Sequence, residues 1–461
     1  MALLFFVAGV AVGAELPAPP LPLGVDLSQP LTLADCVSVA LALSPTLAIA
    51  GNQVQQAQAG VIGARGALLP NLTVSSQVTM GAGGLGGGGA GRSSRTTIGS
   101  DTGVSLTQTF FQSGVNEQIR SAQVSVEGAK DSQEDTRLSL ILTVAQNYYT
   151  TLASQGLAEV ARGAVTNSTQ HLDAVNARIS AGTAAASDRY PFEVELQQAL
   201  VQAISAGRTA DTALLNLKQV MGLPAESKLS LAEALSRPPL PEGVEALKQS
   251  AMQTRPDLQR SRRQVEVSRL SLRVAQIERG PVLNAGGSEG YSWRDGDGAN
   301  AWQLQVGVSL PVFDLGQVRA SQESAQAGLE IAQQNLRQAE LLAGSEIESN
   351  LLAVRESYAR IDAAEAALTA AQVALEAAQG RYQAGLATVI DVTDAELKFR
   401  QAGADRVAAL YDYNTSLAAL WTSLGSPAVP GAQTATPAGT TPPASQSITP
   451  APAAGPEGNP Q

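Results

Sequence analysis

The chain has 461 residues and a net charge of −11, from 41 acidic and 30 basic residues, which argues against nucleic acid as a partner. Aromatic residues make up only 4% of the chain, so there is little bulk for several globular cores. The composition instead favours one elongated molecule with thin helix-to-helix seams. A single cysteine and a single histidine leave almost no thiol or imidazole chemistry.

The residues that could carry chemistry give no sign of catalysis. Cys36 is interpreted as a buried small residue, with a lipid-anchor cysteine as the alternative, and His171 as a solvated or packed side chain rather than a metal ligand. The glycines at 84–89 match a nucleotide-binding spacing, but no strand-turn-helix pattern surrounds them. No nucleophile motif or phosphate loop stands out. The chain is therefore predicted to be no enzyme and to bind neither a cofactor nor a metal.

The two ends of the chain differ in composition from the rest. Residues 1–14 combine an apolar run with a small-residue end, which is typical of a cleaved signal peptide, although the run lacks a preceding basic residue. A short buried helix is the alternative. Residues 426–461 are rich in Pro, Ala and Thr and are predicted to be a disordered tail. No other apolar run approaches the ~20 residues of a membrane-spanning helix, so passage through a membrane would use β-strands.

The sequence between these ends consists of two internal repeats, the first at 15–222 and the second at 223–425. Each copy reads as helix, strand, loop, strand, long helix, break and returning helix. Corresponding residues are 211 positions apart before the first strand and 203 apart after the long helix, because the first copy has the longer glycine-rich loop. These pairs are Pro45 and Pro256, Pro70 and Pro281, Gly182 and Gly385, and Gly222 and Gly425.

Alternating apolar residues predict four β-strands, at about 70–82, 101–111, 281–293 and 301–313. Four strands with one apolar face are too few to close a barrel and would expose their edges, so several chains must share one sheet. Strands of a soluble sandwich alternate in the same way, and that alternative stays open. Three aromatic residues flank the second strand pair and are candidates for a membrane-interface girdle or for core positions: Tyr291, Trp293 and Trp302.

Two long helices are predicted, at about 115–180 and 317–382. The second lacks proline and carries large apolar residues at every seventh position, which indicates a coiled-coil seam. At 1.5 Å per residue each helix is about 100 Å long, too long for a compact domain but long enough to span an aqueous compartment. The seam consists of Ile347, Val354, Ile361, Leu368, Leu375 and Tyr382.

The stretch GRYQAGLATVIDVTDAEL interrupts the second long helix and is predicted to be a helical hairpin turn. Gly385 would supply the left-handed C-terminal cap, and Thr393 with Glu396 would form a capping box for the returning helix. Asp391 and Asp394 have two interpretations. They are either anions at a helix N-terminus or, if several chains assemble about an axis, stacked acidic rings that attract cations at the end of a tube.

Three stretches carry a resemblance to a known family: LTLADCVSVALALSPTL, FDLGQVRASQESAQAGLEIAQQNL and RYQAGLATVIDVTDAEL. From about residue 30 to 425 the chain resembles the TolC-like outer membrane efflux proteins. The resemblance implies an α+β membrane protein, a homotrimer with a twelve-stranded outer-membrane β-barrel, four strands per chain, continued by an α-helical coiled-coil barrel through the periplasm. It implies an equatorial region from about 223–250 and a passive duct that docks to an inner-membrane pump through a periplasmic adaptor.

The resemblance also implies site residues. The periplasmic gate would comprise an acidic ring of Asp391 and Asp394 together with Asp188 and Tyr382, which help hold the inner helices closed. Ala387 departs from members that carry a basic residue there. The implied adaptor contacts are at the hairpin tips, at Gly182, Thr183, Gly385 and Leu386. A periplasmic coiled-coil adaptor or structural protein is the alternative function, although the chain lacks a lipoyl-like β domain.

Overall fold

The computed structural model describes residues 29–83, 95–232, 234–241, 243–294 and 297–426. Most of them are helical, and the remainder include one four-stranded sheet. The predicted signal peptide, the glycines at 84–89 and the predicted tail beyond Ser426 lie outside the described residues.

The two halves of the chain contain the same series of elements. The first half contains α1 (Leu33–Leu43), α2 (Pro45–Gly66), β1 (Asn71–Gly83), β2 (Arg95–Gln112), α3 (Val115–Ser180), a 3₁₀ turn (Ala186–Asp188) and α4 (Arg189–Val220). The second half contains α5 (Val244–Thr254), α6 (Pro256–Ile277), β3 (Val282–Arg294), β4 (Asp297–Ser309), α7 (Gln317–Gln383) and α8 (Val389–Ser423).

Proline divides the helices at the start of each half. Pro45 and Pro256 occupy the first turns of α2 and α6, where a missing N–H costs nothing. The preceding residues, Ser44 and Arg255, are extended because proline disfavours helical geometry before it. Within the described ranges, no single helix combines the length and hydropathy needed to cross a bilayer; α1 and α2 meet both criteria only together, bent by 44° at their break.

The strands form one antiparallel sheet in the order β1-β2-β3-β4, so the two hairpins join through β2 and β3. A bulge at Phe110 interrupts the ladder between β2 and β3. Ser113, at the foot of the sheet, donates a hydrogen bond to the Pro281 carbonyl at 3.4 Å. The outer strands, β1 and β4, each pair on one side only.

Two strands differ from their predicted ranges by four or more residues. The fourth strand runs from 297 to 309 instead of 301–313, since Pro311 has no N–H to donate to a ladder. The second strand begins at residue 95 instead of 101, because β1 continues to pair with it as far as Gly83. Polar and small residues fill both added stretches except at Ile98, and a single large apolar side chain gives no alternation to detect.

The register places apolar and polar residues on opposite faces of the sheet, because directly paired residues share a face. Val74 pairs with Val104 and Leu72 with Leu106 on the apolar face. Glu289 pairs with Trp302 and shares this face. Its other large members include Val78, Met80, Leu283, Tyr291, Trp293, Leu304, Val306 and Val308. The opposite face includes Thr73, Ser75, Gln77, Asp101, Ser105, Ser288, Ser292, Gln303 and Gln305.

Two long helical hairpins extend from the sheet. The chain leaves the strands through glycines in the left-handed region, Gly114 with φ 89° before α3 and Gly316 with φ 94° before α7. Helix α3 packs against α4, α7 against α8, and α3 also packs against α8, which joins the hairpins. The heptad seam of α7 is buried at Ile347, Val354, Ile361 and Leu375.

The segment between the repeats crosses both hairpins near their middle. Leu31 and Leu231 form an isolated parallel bridge. The Arg237 guanidinium donates to both carboxylate oxygens of Asp362, at 2.6 and 3.0 Å, and lies 3.9 Å from the centre of the Tyr358 ring. The Tyr413 hydroxyl donates to the Pro238 carbonyl at 2.8 Å. This segment therefore ties α7 and α8 together beside two clusters of buried hydrophobic residues, and its Leu235 packs against both.

Candidate functional site at the helical tips

Both hairpins turn on a glycine with a left-handed backbone, Gly182 with φ 73° and Gly385 with φ 75°. The first glycine N–H donates to the Ile179 carbonyl at 3.0 Å, and the next residue, Thr183, donates to Arg178 at 2.9 Å. The second turn repeats this pair of bonds at 3.0 and 2.8 Å. Both turns are Schellman caps, which need a residue that tolerates positive φ. Open space surrounds both glycines, so conformation rather than crowding requires them.

The returning helix of the second hairpin begins one turn earlier than predicted. Its capping box consists of Thr388 and Asp391, not Thr393 and Glu396. The Thr388 N–H and hydroxyl both donate to one Asp391 carboxylate oxygen, at 2.7 and 2.8 Å. Thr393 lies inside the helix and donates to the Ile390 carbonyl, while Glu396 is fully buried. Thr393 and Glu396 have the spacing of a capping box, but Thr388 and Asp391 have the same spacing five residues earlier, and the helix begins there.

The two aspartates of the predicted ring have different surroundings. Asp391 is exposed, and its hydrogen bonds from the Thr388 backbone and hydroxyl lower the pKa of its carboxyl. Asp394 is exposed one turn further along α8. The first hairpin has a similar arrangement at Asp188, whose carboxylate accepts from the Ala185 N–H at 3.3 Å. Asp188 precedes Asp391 by 203 positions, so the equivalent aspartate of each repeat accepts from the backbone, at the 3₁₀ turn before α4 in the first repeat and at the start of α8 in the second.

Tyr382 connects the second hairpin to the first. The Arg178 guanidinium lies 4.9 Å from the centre of the Tyr382 ring and donates to the Tyr382 carbonyl at 3.3 Å. The ring also packs against Phe192 of α4, with the ring centres 6.0 Å apart. Asp188 has other partners, the Ala185 N–H and the Ser187 hydroxyl. The predicted gate residues therefore lie at the same end of the molecule but form separate contacts.

A polar cluster just inside the tips was missed. Glu195 of α4 is 7% exposed and Glu396 of α8 is 0% exposed. Asn167 of α3 donates to Glu396 at 3.2 Å. His171 is partly buried against Phe192, with 6.0 Å between the ring centres, and this burial lowers the pKa of the imidazole. The only sequence signal was a glutamate on the buried stripe of each returning helix.

The aromatic candidates lie on the apolar face of the sheet. Trp302 is 80% exposed, Tyr291 48% and Trp293 37%. Tyr291 pairs with Thr102 and Asn300, where polar residues replace the apolar ones of the preceding pairs. Exposed aromatic rings at the end of an apolar band are typical of a lipid-water interface. Cys36 is buried in the helical core. Across the described ranges, no group of three or more His, Cys, Asp or Glu is arranged to hold a metal ion.

A four-stranded sheet with one apolar face, continued by two hairpins of about 100 Å, defines the class of outer-membrane channels with long periplasmic helices. The outer membrane efflux protein family model matches residues 36–223 and 247–426, one stretch in each half of the chain. The chain belongs to this family. Its place is accordingly the outer membrane, from which it extends into the periplasm.

Relatives and solved structures agree with this assignment. The outer membrane protein TolC of Vibrio cholerae is 24% identical over 85% of this chain and 90% of its own length. The pyoverdine export outer membrane protein OpmQ of Pseudomonas aeruginosa is 27% identical over 77% of each chain. Among solved structures, VceC of Vibrio cholerae covers 86% of this chain and 96% of its own at 19% identity, with a TM-score of 0.68. MtrE of Neisseria gonorrhoeae covers 87% and 91% at 20% identity, with a TM-score of 0.70.

Proposed function

We propose that three copies of the chain form a passive export duct through the outer membrane and the periplasm. The observation that carries this proposal is the sheet, whose apolar face is exposed and whose outer strands β1 and β4 each lack a second neighbour among the described residues. Unpaired backbone groups cannot face hydrocarbon, so a sheet in a membrane must close. Pairing β4 of one copy with β1 of the next gives twelve strands with the apolar face toward lipid and the polar face toward water.

The helical hairpins support the same assembly. Helices α4 and α7 carry large apolar side chains that no described element of the same chain covers, and a second copy would cover them. These residues include Val194, Val201, Ile204, Leu341, Leu342, Leu352 and Val373. Three pairs of hairpins around one axis would continue the barrel as a helical tube on the order of 100 Å long.

The duct would serve a tripartite efflux or type I secretion system, in which an inner-membrane pump and a periplasmic adaptor deliver the substrate. The support comes from the family, whose description names efflux, and from OpmQ, whose name describes export in the outer membrane. The adaptor would bind the exposed hairpin tips around Gly182, Thr183, Gly385 and Leu386. The tips suit this role because their backbones are rigidly capped while their surfaces are free.

The periplasmic entrance would be lined by Asp391 and Asp394. Threefold assembly would bring six carboxylates to this end, where like charges concentrate a field that attracts cations. Tyr382 and Asp188 would hold the entrance closed at rest. The contact of Tyr382 with Arg178 and Phe192 supports this role, because it ties one hairpin to the other.

Mass measurement in detergent and conductance in a planar bilayer test the proposal together. We expect a particle of three chains that conducts ions. A non-conducting single chain would refute the duct and favour a periplasmic adaptor.

A pair of adjacent substitutions tests which face meets lipid. Val306→Lys would place a charge on the apolar face, at a cost of about 2–4 kcal/mol near the bilayer centre, and should reduce trimer recovered from the outer membrane. Gln305→Lys, the next residue, should leave that yield unchanged because its side chain would face water. Equal yields for the two variants would contradict the proposed orientation.

A further inference from the structure

The two buried glutamates of the tip region come from different hairpins. Glu195 is in the second turn of α4, and Glu396 is near the start of α8. Helix α3 packs against both helices. Its residue His171 is eleven positions before Gly182, or about 16 Å along the helix. We call Glu195 and Glu396 the buried carboxyl pair.

The pair lacks the hydrogen bonds that buried carboxylates normally have. In the described part of the chain, neither oxygen of Glu195 has a hydrogen-bond partner in normal geometry, and Oε2 of Glu396 has none. Among the described residues, the Ser168 hydroxyl, which lies beside Glu195, and His171 Nδ1 are also buried without a hydrogen-bond partner in normal geometry. A buried carboxylate without partners is costly, whereas a protonated carboxyl can donate as well as accept.

The charges around the pair do not balance. Arg400 of α8 faces Glu195, and its Nε is buried without a partner. His171, on α3, is favoured in its neutral form, because burial lowers the imidazole pKa more than the Glu396 charge raises it. Helix α7 reaches this region through Gln379, 3.1 Å from His171, and through Tyr382. Two carboxylates and one guanidinium leave one negative charge, which one proton would neutralise.

We propose that the buried carboxyl pair holds one proton at neutral pH, and that this proton keeps α4 of the first hairpin and α8 of the second packed on α3 beside the tips. The site binds a proton and releases it as the medium becomes alkaline. Loss of the proton would place two negative charges between the hairpins and loosen both tips. The proposal concerns the chain's own packing and does not depend on the export function.

The direction of the pH dependence follows from two groups. Burial raises the pKa of Glu195, the charge of Glu396 raises it further, and Arg400 and the Ser168 hydroxyl oppose the rise. Since the folded pKa is above the ordinary value of 4.5, packing is favoured at low pH and is lost as pH rises through the raised value. The lowered pKa of His171 acts oppositely: its contribution is present above 6.5 and is lost as pH falls.

Infrared difference spectroscopy on the full chain in detergent tests the proton directly. At neutral pH, subtracting the spectrum of Glu195→Gln or of Glu396→Gln from that of the wild type should reveal the C=O stretch of a protonated carboxyl. The same difference for Glu193→Gln, an exposed glutamate two residues away on α4, should show none. In the unmodified protein the band should disappear in a single one-proton step on raising the pH. Absence of the band at neutral pH would overturn the proposal.

Hydrogen exchange tests the consequence for the tips. At alkaline pH, peptides covering 180–200 and 383–400 should exchange several-fold more slowly in Glu195→Gln than in the wild type, because the variant cannot gain the negative charge. At pH 5 the two proteins should exchange at the same rate. An exchange ratio independent of pH, or the same ratio in Glu193→Gln, would overturn the link to packing. A response of the wild-type tips to EDTA or added calcium would show that a cation, not a proton, occupies the site.

Discussion

The hairpin of α3 and α4 and the hairpin of α7 and α8 turn on the same backbone but use different side chains. Gly182 and Gly385 adopt the same φ and the same Schellman bonds. The second returning helix starts with a complete capping box at Thr388, whereas the first has Ala185 at that position, which has no side-chain oxygen. The two repeats therefore share the left-handed glycine and the backbone hydrogen bonds of the turn, while the side-chain contacts differ between the two tips.

A glycine at the end of each returning helix offers the largest expected difference between the repeats. Gly222 and Gly425 both have positive φ, which costs an alanine about 1–2 kcal/mol. A Cβ at Gly222 would also lie 2.7 Å from the Leu43 carbonyl oxygen, whereas at Gly425 it would meet Arg255 Cγ at 3.6 Å. We therefore expect Gly222→Ala to lower the unfolding temperature clearly more than Gly425→Ala. Circular dichroism in detergent measures the two unfolding temperatures. Equal decreases for the two variants would show that the backbone at the α1–α2 break moves to make room for the added Cβ.

The capping difference can be reversed. Thr388→Ala should destabilise the second hairpin by about 1 kcal/mol, because the Asp391 N–H loses its acceptor. Ala185→Ser should stabilise the first hairpin, by less than about 1 kcal/mol, because its extended backbone already suits a cap. Hydrogen exchange of the two tips separates these local effects. Thr388→Ser is the control and should resemble the wild type; no change with Thr388→Ala would mean that the Asp391 carboxylate alone caps the helix.

The two hairpins also differ in the contacts of one arginine at equivalent positions. Arg178 and Arg381 occupy equivalent positions, but Arg178 lies over Tyr382, while Arg381 is exposed and contacts its own helix. Arg178→Gln should weaken the link between hairpins by about 0.5–1 kcal/mol and increase proteolysis of the tips, whereas Arg381→Gln should not. If both variants were cleaved at the wild-type rate, the link between the hairpins at Tyr382 would depend on its contact with Phe192 and not on Arg178.

The acidic residues give the smallest expected effect. Asp391→Asn with Asp394→Asn should reduce the cation-to-anion permeability ratio on the order of twofold to fivefold, below about 1 kcal/mol, and weaken block by divalent cations. Single-channel reversal potentials in a salt gradient measure this ratio. Unchanged selectivity would leave the two residues as helix caps only, a role already visible for Asp391.

Titration of Asp391 separates its two roles. Its pKa is lowered in the folded chain, so its capping contribution is present above the ordinary value of 3.8 and is lost only as pH falls through the lowered value. If cation selectivity falls on acidification while the pH is still well above 3.8, the carboxyl that is being protonated is not Asp391 with the lowered pKa that it has in the single chain.

Several elements were predictable because their signals are local. The apolar spacing of seven in α7 predicts one long helix, and the structure has a helix there with Ile347, Val354 and Ile361 fully buried. Gly385 was predicted as a left-handed cap from its place between two helices, and its φ of 75° agrees. The start of α8 and the end of β4 were predicted wrongly. Both depend on backbone hydrogen bonds, which a pattern of apolar residues does not record.

The sequence by itself determined the repeated order of helices and strands, the positions of the turns and the family, because periodicity and glycine placement act over a few neighbouring residues. Only the tertiary structure decided that Glu195 and Glu396 are both buried on helices that pack against α3, and that Tyr382 contacts both Arg178 and Phe192. The members of these pairs are 190 to 204 positions apart in the chain. Their positions depend on how the helices of the two hairpins pack against one another, which residue spacing within any single helix cannot specify.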